Sequence, residues 1–82
     1  REDGSWLCDG LTPIDEIEEL LEVDIVSKFE ENDFNTIAGF LLIHFKHIPN
    51  AGEYIYWGGF KFEIMDMDGT RIDKILIQKM DD

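Results

Sequence analysis

Four residues near the end of the chain, Asp66-Met67-Asp68-Gly69, are the part of the sequence most suggestive of metal chemistry. An EF-hand calcium loop needs oxygen-bearing side chains at positions 1, 3 and 5, glycine at position 6 and glutamate at position 12. Aligning Gly69 with position 6 puts isoleucine at both ends of the loop, and aligning Asp66 with position 1 puts Arg71 where glycine is required. Both alignments fail, so we predict an ordinary β-turn and assign no metal ligand.

Two histidines are the next candidates for a metal site. His44 and His47 lie three residues apart near the end of a predicted helix, a spacing at which two imidazoles can share a metal ion. A zinc site would also need Cys8 or a glutamate from elsewhere, because the sequence has neither a cysteine pair nor a third histidine. We favour the interpretation that both histidines are surface residues near the C-terminus of a helix.

The sequence contains no motif of the common catalytic classes. Ser5 and Ser27 lie outside any Gly-x-Ser-x-Gly elbow, and neither a P-loop nor a Gly-x-Gly-x-x-Gly motif occurs. Cys8 is the single cysteine, and the neighbouring Asp9 opposes thiolate formation, so we expect Cys8 to be a small core residue. We predict a domain that is not an enzyme, with no catalytic, cofactor-binding or metal-binding residue.

The aromatic side chains of the predicted strands have two possible roles. They could line a ligand groove, but aromatic residues at strand spacing more often form core and cross-strand pairs, which is the role we expect. This set comprises Trp6, Tyr54, Tyr56, Trp57, Phe60 and Phe62.

The charge of the chain limits the classes of molecule that it can bind. The 82 residues carry a formal net charge of −12, and residues 1–34 hold twelve acids against only two bases, Arg1 and Lys28. A surface that binds phosphates needs the opposite sign, so nucleic acid and anionic membrane surfaces are unlikely partners. The simplest role for so many acidic residues is to keep the domain soluble, and the alternative role is to bind cations or a basic partner.

The length and hydropathy of the chain predict one small domain. No stretch approaches the ~20 apolar residues that cross a bilayer, so we expect no direct membrane insertion by this segment. One cysteine without a possible internal disulfide favours a cytosolic location. The chain starts at Arg1 without a leader, and we expect residues 1–82 to be a single domain excised from a larger protein.

The first predicted strand is Ser5–Asp9, and an amphipathic helix follows it. This helix starts at Pro13, with Thr12 as its N-cap, and ends at about Glu22. Acidic residues cover most of its surface, opposite an apolar stripe formed by Ile14, Ile17, Leu20 and Leu21.

The second predicted helix runs from about Thr36 to His47, with Asn35 as a possible cap, and its apolar residues surround most of the axis. We therefore expect this helix to be largely buried. Gly39 within it indicates close packing against another backbone. The segment between the helices is irregular, and we expect its apolar residues to pin a loop to the core: Val23, Ile25, Val26, Phe29 and Phe34.

Three more strands complete the predicted fold. They cover about Glu53–Trp57, Phe60–Met67 and Thr70–Lys79, joined by turns at Gly58-Gly59 and Asp68-Gly69. In the last strand Ile72 and Leu76 have the opposite parity from Ile75 and Ile77, so either both faces are covered or a bulge near Asp73-Lys74 shifts the register. The order is β-α-α-β-β-β, an α+β fold with two helices packed on one antiparallel sheet.

Three motifs in these elements resemble one domain family. The segment from Asp3 through Trp6-Leu7-Cys8-Asp9-Gly10 to Pro13-Ile14-Asp15-Glu16 resembles the opening of the CorC/HlyC transporter-associated domain. Thr36-Ile37-Ala38-Gly39-Phe40 with Ile48-Pro49-x-x-Gly52-Glu53 is similar to its middle. Gly59-Phe60-Lys61-Phe62-Glu63-Ile64 with Asp68-Gly69-x-Arg71-Ile72 is similar to its closing hairpin. Together these motifs span nearly the whole chain.

The resemblance implies a function and a setting. It implies a non-catalytic regulatory or interaction domain at the C-terminus of a haemolysin-like membrane protein that transports divalent cations such as magnesium or cobalt. The implied partners are a pair of CBS domains and the membrane domain, with a homo-oligomer possible, and the implied location is the cytoplasmic face of the cell membrane.

Two alternatives accompany this hypothesis. The acidic surface could sense divalent cations directly. The fold is also similar to part of the FAD-binding domain of certain flavin oxidases, so flavin or adenine-nucleotide binding follows by analogy of fold alone. The sequence lacks a glycine-rich pyrophosphate loop, and its acidic charge repels diphosphate, so we predict no cofactor.

Overall fold

The computed structural model describes residues 4–25 and 34–80. Its elements follow the predicted β-α-α-β-β-β order and lie within about two residues of the predicted bounds: β1 (Ser5–Asp9), α1 (Ile14–Leu21), α2 (Ile37–Phe45), β2 (Tyr54–Trp57), β3 (Phe60–Asp68) and β4 (Arg71–Lys79). The α+β prediction, with two helices packed on one antiparallel sheet, is confirmed. The loop contacts predicted for Val26 and Phe29 lie outside the described residues.

The four strands form one sheet in the order β1-β4-β3-β2, with every neighbouring pair antiparallel. The first and last strands are therefore neighbours, and Ser5 lies opposite Gln78. The amide of Lys79 donates to the carbonyl of Gly4 at 3.0 Å, which extends this ladder by one bond. Adjacency of β1 and β4 could not be predicted from local patterns, because it joins residues that are about 70 positions apart.

Two tight turns close the hairpins where the sequence predicts them. Trp57 lies opposite Phe60, and the two glycines between them have φ values of 61° and 87°. Non-glycine residues rarely adopt such positive φ values, which explains the Gly-Gly pair. Asp68 lies opposite Arg71 in the second hairpin, and the metal-like acidic cluster is therefore part of an ordinary turn.

Compensating register shifts in the long hairpin resolve the parity conflict in β4. Ile64 pairs with Ile75, then Asp66 pairs with Lys74, and the original register returns at Met67 and Ile72. Each strand thus carries one extra residue, Met65 in β3 and Asp73 in β4. Of the two alternatives left open for β4, the structure shows the bulge near Asp73. It lets the isoleucines of β4 reach the same core in spite of their different parity; Ile72, Ile75 and Ile77 are all buried.

Both helices cover one face of the sheet, and Phe40 of α2 lies at the centre of the resulting core. Its ring packs edge-on against Trp57 at 5.3 Å and Phe62 at 5.8 Å, which joins the helix to β2 and β3. From α1, Ile17 is fully buried in the same cluster. Trp6 and Cys8 of β1 are half-buried against it, in agreement with the core role predicted for Cys8.

The predicted helix caps were each displaced by one residue. Pro13, not Thr12, occupies the N-cap of α1, and it has no side-chain capping bond. The Thr12 hydroxyl instead donates to the carbonyl of Asp9 at 2.6 Å. In α2 the N-cap is Thr36, not Asn35, and its hydroxyl oxygen accepts from the Gly39 amide at 3.2 Å. Propensity alone cannot separate neighbouring Asn and Thr residues, since both are good caps.

The helices are less buried than the sequence predicted. Leu20 of α1 is 42% exposed, although the rest of its apolar stripe is buried. The second half of α2 also departs from expectation, because Leu42 and Ile43 are 37% and 38% exposed. In the part of the chain that the structure describes, one side of each helix stays exposed, so an apolar circumference did not guarantee burial of α2.

Backbone hydrogen bonds connect the N-terminal ends of the two helices. Pro13 and Thr36 form an isolated antiparallel bridge. The amide of Ile14 donates to the Asn35 carbonyl at 2.9 Å, and the amide of Ile37 donates to the Thr12 carbonyl at 3.0 Å. Each helix thus has its first amide bonded to the segment that leads into the other helix, an arrangement we call the reciprocal cap.

Gly10 lies where this arrangement meets the sheet. Its amide donates to the Asp73 carbonyl at 2.8 Å, and its carbonyl accepts from Ala38 at 3.1 Å. A Cβ atom at position 10 would lie 2.0 Å from the carbonyl oxygen of Ile72. Only glycine fits between α2 and β4 at this point.

Candidate interaction surfaces

The residues with metal-like spacing do not assemble into a centre in the structure. The Arg71 guanidinium donates to the Asp68 carboxylate at 2.8 Å, within the β3–β4 turn. Burial raises the pKa of the Cys8 thiol, which disfavours a thiolate nucleophile. Within residues 4–25 and 34–80, no three His, Cys, Asp or Glu side chains lie close enough to hold a metal ion.

The two histidines have separate partners. His44 donates through Nδ1 to the Phe40 carbonyl one helical turn earlier, at 3.0 Å. His47 lies beyond the end of α2, and its Nε2 is 2.9 Å from Oε1 of Glu53. The hydrogen bond to Glu53 raises the pKa of His47. The second oxygen of Glu53 accepts from the Asn50 amide at 2.6 Å, so the pair fastens the loop between α2 and β2.

The backbone amides at the start of α2, which a phosphate group would need as donors, already have acceptors within the protein. Free amides in the first turn of a helix form an anion site. In α2 the amides of Ile37 and Ala38 donate to carbonyls of the β1–α1 loop, and the Gly39 amide donates to the Thr36 side chain. The geometry therefore gives no support to pyrophosphate binding at α2. No cavity forms among the described residues that could enclose a flavin or nucleotide ring.

One surface of the domain is strongly acidic. The exposed side chains of α1 include Asp15, Glu16, Glu19 and the C-cap residue Glu22, and the helix has no basic residue in its last turn. We call these four residues the acidic face. Glu18 lies outside this set, because it is half-buried and accepts a 2.7 Å hydrogen bond from the Ile25 amide.

The Trp57-Gly58-Gly59 edge is a smaller candidate surface. Trp57 is half-buried and its ring packs against Phe40, so it contributes mainly to the core. Gly58 and Gly59 are exposed and present backbone without side chains. This edge therefore offers little side-chain area for recognition.

The face of the sheet opposite the helices is a third surface, which sequence analysis missed. Leu7 is 57% exposed, Tyr54 49% and Tyr56 62%, so these large side chains cover no core. The expectation that strand aromatics form core and cross-strand pairs holds for the tryptophans and phenylalanines. The two tyrosines lie outside the core, and Tyr54 contacts Lys61 of the neighbouring strand. The alternation of β2, with Tyr54 and Tyr56 on one parity and Ile55 and Trp57 on the other, was the available signal.

Residues of this outer face interact closely with one another. The Lys61 ammonium lies 4.4 Å from the centre of the Tyr54 ring and 3.4 Å from Oε1 of Glu63. The rings of Tyr54 and Tyr56 meet edge-on at 5.5 Å. The centre of the open face is therefore a packed cluster of aromatic and oppositely charged groups.

Comparison with protein families identifies the domain. The model of the CorC_HlyC family, described as a transporter associated domain, matches residues 1–81. The chain belongs to the CorC_HlyC family. The family resemblance of the sequence motifs is confirmed, and this CorC_HlyC domain belongs to a family described by its association with transporters, not by a catalytic activity.

Curated relatives of this CorC_HlyC domain are longer proteins. It is 42% identical over 80 residues to the UPF0053 protein sll0260 of Synechocystis, and 36% identical over 81 residues to the polyamine export protein of Salmonella typhimurium. The alignments cover 98% and 99% of this chain but only 18% of each relative. The chain thus spans about a fifth of the proteins it matches.

Solved CorC_HlyC domains share the fold. The domain of a Xylella fastidiosa hemolysin, in complex with Mg++ and Mn++, is 46% identical with a TM-score of 0.82, covering 99% of this chain and 94% of that one. The domain of a CBS domain protein from Porphyromonas gingivalis is 26% identical with a TM-score of 0.81, at 99% and 94% coverage. The analogy with flavin oxidases finds no support in these structures.

No helix in residues 4–25 or 34–80 of this CorC_HlyC domain combines the length and the apolar character that a bilayer span requires.

Proposed function

We propose that this domain is a non-catalytic regulatory and interaction module of a larger membrane protein that transports cations. In this proposal residues 1–82 form one unit at the cytoplasmic face of the membrane, and the unit modulates transport by contact with a CBS pair, the membrane domain or another subunit. The proposal is supported by membership of a transporter-associated family and by relatives that are about five times longer than the chain.

The acidic face of α1 is the observation that carries this proposal. Its carboxylates project from one short helix into solvent, and α1 has no basic residue in its last turn. Such a surface attracts a basic partner over long range and repels nucleic acid and anionic lipid. A positively charged surface on a neighbouring domain therefore fits this helix.

Charge reversal on the acidic face tests the proposal in the full-length parent protein. The double variant Glu16→Lys/Glu19→Lys should impair cation export while the protein still reaches the membrane, and both divalent cations and polyamines should be assayed as cargo. A matched control is Asp66→Lys/Asp68→Lys, which changes the net charge equally in the β3–β4 hairpin. Equal transport by both double variants and the unaltered protein would dismiss the acidic face as a regulatory surface.

Direct sensing of divalent cations is a second candidate function. The observation in its favour is the Xylella domain, which is 46% identical and was solved in complex with Mg++ and Mn++. A titration of the domain with Mg²⁺, Mn²⁺ and Co²⁺, followed by amide NMR shifts, should give saturable changes that Glu16→Gln/Glu19→Gln weakens if the acidic face is the sensor. Shifts that are absent, or that grow linearly with ionic strength, would eliminate this function.

A further inference from the structure

The outer face of the sheet is organised in two rows that run across all four strands. The strand register places Lys61 beside Tyr56 and Gln78, and Glu63 beside Tyr54 and Leu76. In β1, the buried Ser5 lies at the end of the first row and the exposed Leu7 at the end of the second. The lysine row and the glutamate row are adjacent, because their central residues are two positions apart on β3.

These two rows are electrically neutral on a strongly acidic protein. The two rows contain one positive and one negative side chain, Lys61 and Glu63, while the whole chain carries −12. Both central side chains are partly covered, at 23% and 28% exposure, whereas Leu7 and the tyrosines stand out into solvent. The two rows are therefore the part of the sheet where a second acidic copy would meet apolar area instead of like charge.

The order of the two charges makes the face complementary to itself. A two-fold axis that runs across the strands, between the rows, lays each row over the opposite row of a second copy. Lys61 of each copy then faces Glu63 of the other, and Tyr54 faces Tyr56. We propose that a second copy of this chain docks here, sheet against sheet, in a two-fold dimer. This proposal concerns self-association and does not depend on the acidic face of α1.

The dimensions of the face predict a weak dimer. All four strands run side by side only over the four to five residues of β1 and β2, so at ~3.3 Å per residue and ~4.8 Å between strands this part of the face measures roughly 19 by 15 Å. Its projected area, roughly 290 Å², is far below the ~800 Å² that each partner buries in a standard stable interface. Repulsion between two copies of charge −12 weakens the association further at low ionic strength.

The salt dependence of association is the first test. Sedimentation velocity should show a dimer fraction that rises with protein concentration. The association constant should rise at least tenfold between ~10 mM and ~500 mM NaCl, because salt screens the net repulsion between the two copies. Concentration-dependent NMR shifts should concentrate at the outward residues of β2 and β3. A chain that stays monomeric at ~1 mM protein in ~500 mM salt, or shifts confined to the helices, would overturn the proposal.

Charge swaps on the face provide the second test. Glu63→Lys moves the net charge from −12 toward zero, yet it should weaken the dimer roughly tenfold or more, because Lys61 then faces a lysine. Lys61→Glu should weaken it as well, whereas Lys46→Glu, with the same charge change outside the face, should leave most of the dimer. The double swap Lys61→Glu/Glu63→Lys keeps the net charge and should restore dimerisation.

Folding of each variant is checked by circular dichroism before association is compared. A double swap that stays as weak as the single variants, in a folded protein, would refute the two-fold geometry. Association that follows net charge alone, strongest in Glu63→Lys, would refute it too.

Discussion

We expect the substitution Gly10→Ala to lower the free energy of unfolding by roughly 3–5 kcal/mol. The reason is steric, because the added Cβ would lie 2.0 Å from the carbonyl oxygen and 3.0 Å from the carbonyl carbon of Ile72. Both of these are backbone atoms of β4, so no side chain can rotate out of the way. Gly10 and Ile72 must separate by more than 1 Å before the contact is tolerable.

The magnitude follows from the hydrogen bonds that such a shift would break. The Gly10 amide is 2.8 Å from the Asp73 carbonyl, and the Gly10 carbonyl is 3.1 Å from the Ala38 amide. A buried polar group left without a partner costs ~1–3 kcal/mol, and both bonds connect elements of the core. A domain of 82 residues has a total stability of roughly 4–12 kcal/mol, so this loss would leave it marginal.

Urea unfolding is a suitable assay, because Trp6 and Trp57 are both half-buried against the core and their fluorescence should report its loss. The matched control is Gly52→Ala. Its Cβ meets no atom within 4 Å, and its cost comes only from the positive φ of 98°. We expect this control to lose roughly 1–2 kcal/mol. If Gly10→Ala lost no more unfolding free energy than the control, the close approach between Gly10 and β4 would not be what requires glycine at position 10.

Three further substitutions have defined outcomes. Thr36→Ala should lower stability in urea by ~1 kcal/mol, because α2 loses its side-chain cap, while Thr70→Ala in the exposed turn should change it by less than ~0.5 kcal/mol; equal effects would contradict the capping role. Phe40→Ala should cost ~3–5 kcal/mol by calorimetry, and a loss below ~1.5 kcal/mol would show that the ring is not central to packing. His47→Gln should destabilise the fold only at acidic pH. Glu53 raises the pKa of His47, so this stabilisation is complete below the ordinary histidine pKa of ~6.5 and is lost as the pH rises through the raised value. The melting temperatures of the unaltered protein and His47→Gln should therefore differ at ~pH 5.5 and converge toward ~pH 8.5. A difference that does not change with pH would show that the His47–Glu53 pair does not contribute through the charge of His47.

The elements of the sheet were predictable because their signals are local. Period-two alternation identified Phe60, Phe62 and Ile64 as the core side of β3, and glycine pairs and Asp-Gly marked the turns. The bulge near Asp73 was one of two alternatives that the change of parity within β4 indicated, and the other was that both faces of β4 are covered.

Features that depend on two distant segments were not predictable. The carbonyls of Asn35 and Thr12 accept from the first amides of α1 and α2, so each helix start depends on a segment distant in sequence. Each cap lies one residue beyond the position that local propensity indicated. The need for glycine at position 10 arises only once β4 lies beside it. The outer face was missed because aromatic residues were assigned to the core as a class, without separating Tyr54 and Tyr56 by parity.

The adjacency of β1 and β4 has a mechanical consequence. Gly4 and Lys79 lie side by side at one corner of the sheet and share a hydrogen bond. A force that pulls these two points apart would load the hydrogen bonds of the β1–β4 ladder one after another from that corner, instead of loading all of them in shear at once. Tension applied through both ends would therefore release β1 first, while the β2–β3–β4 sheet and the ring of Phe40 against it stayed assembled.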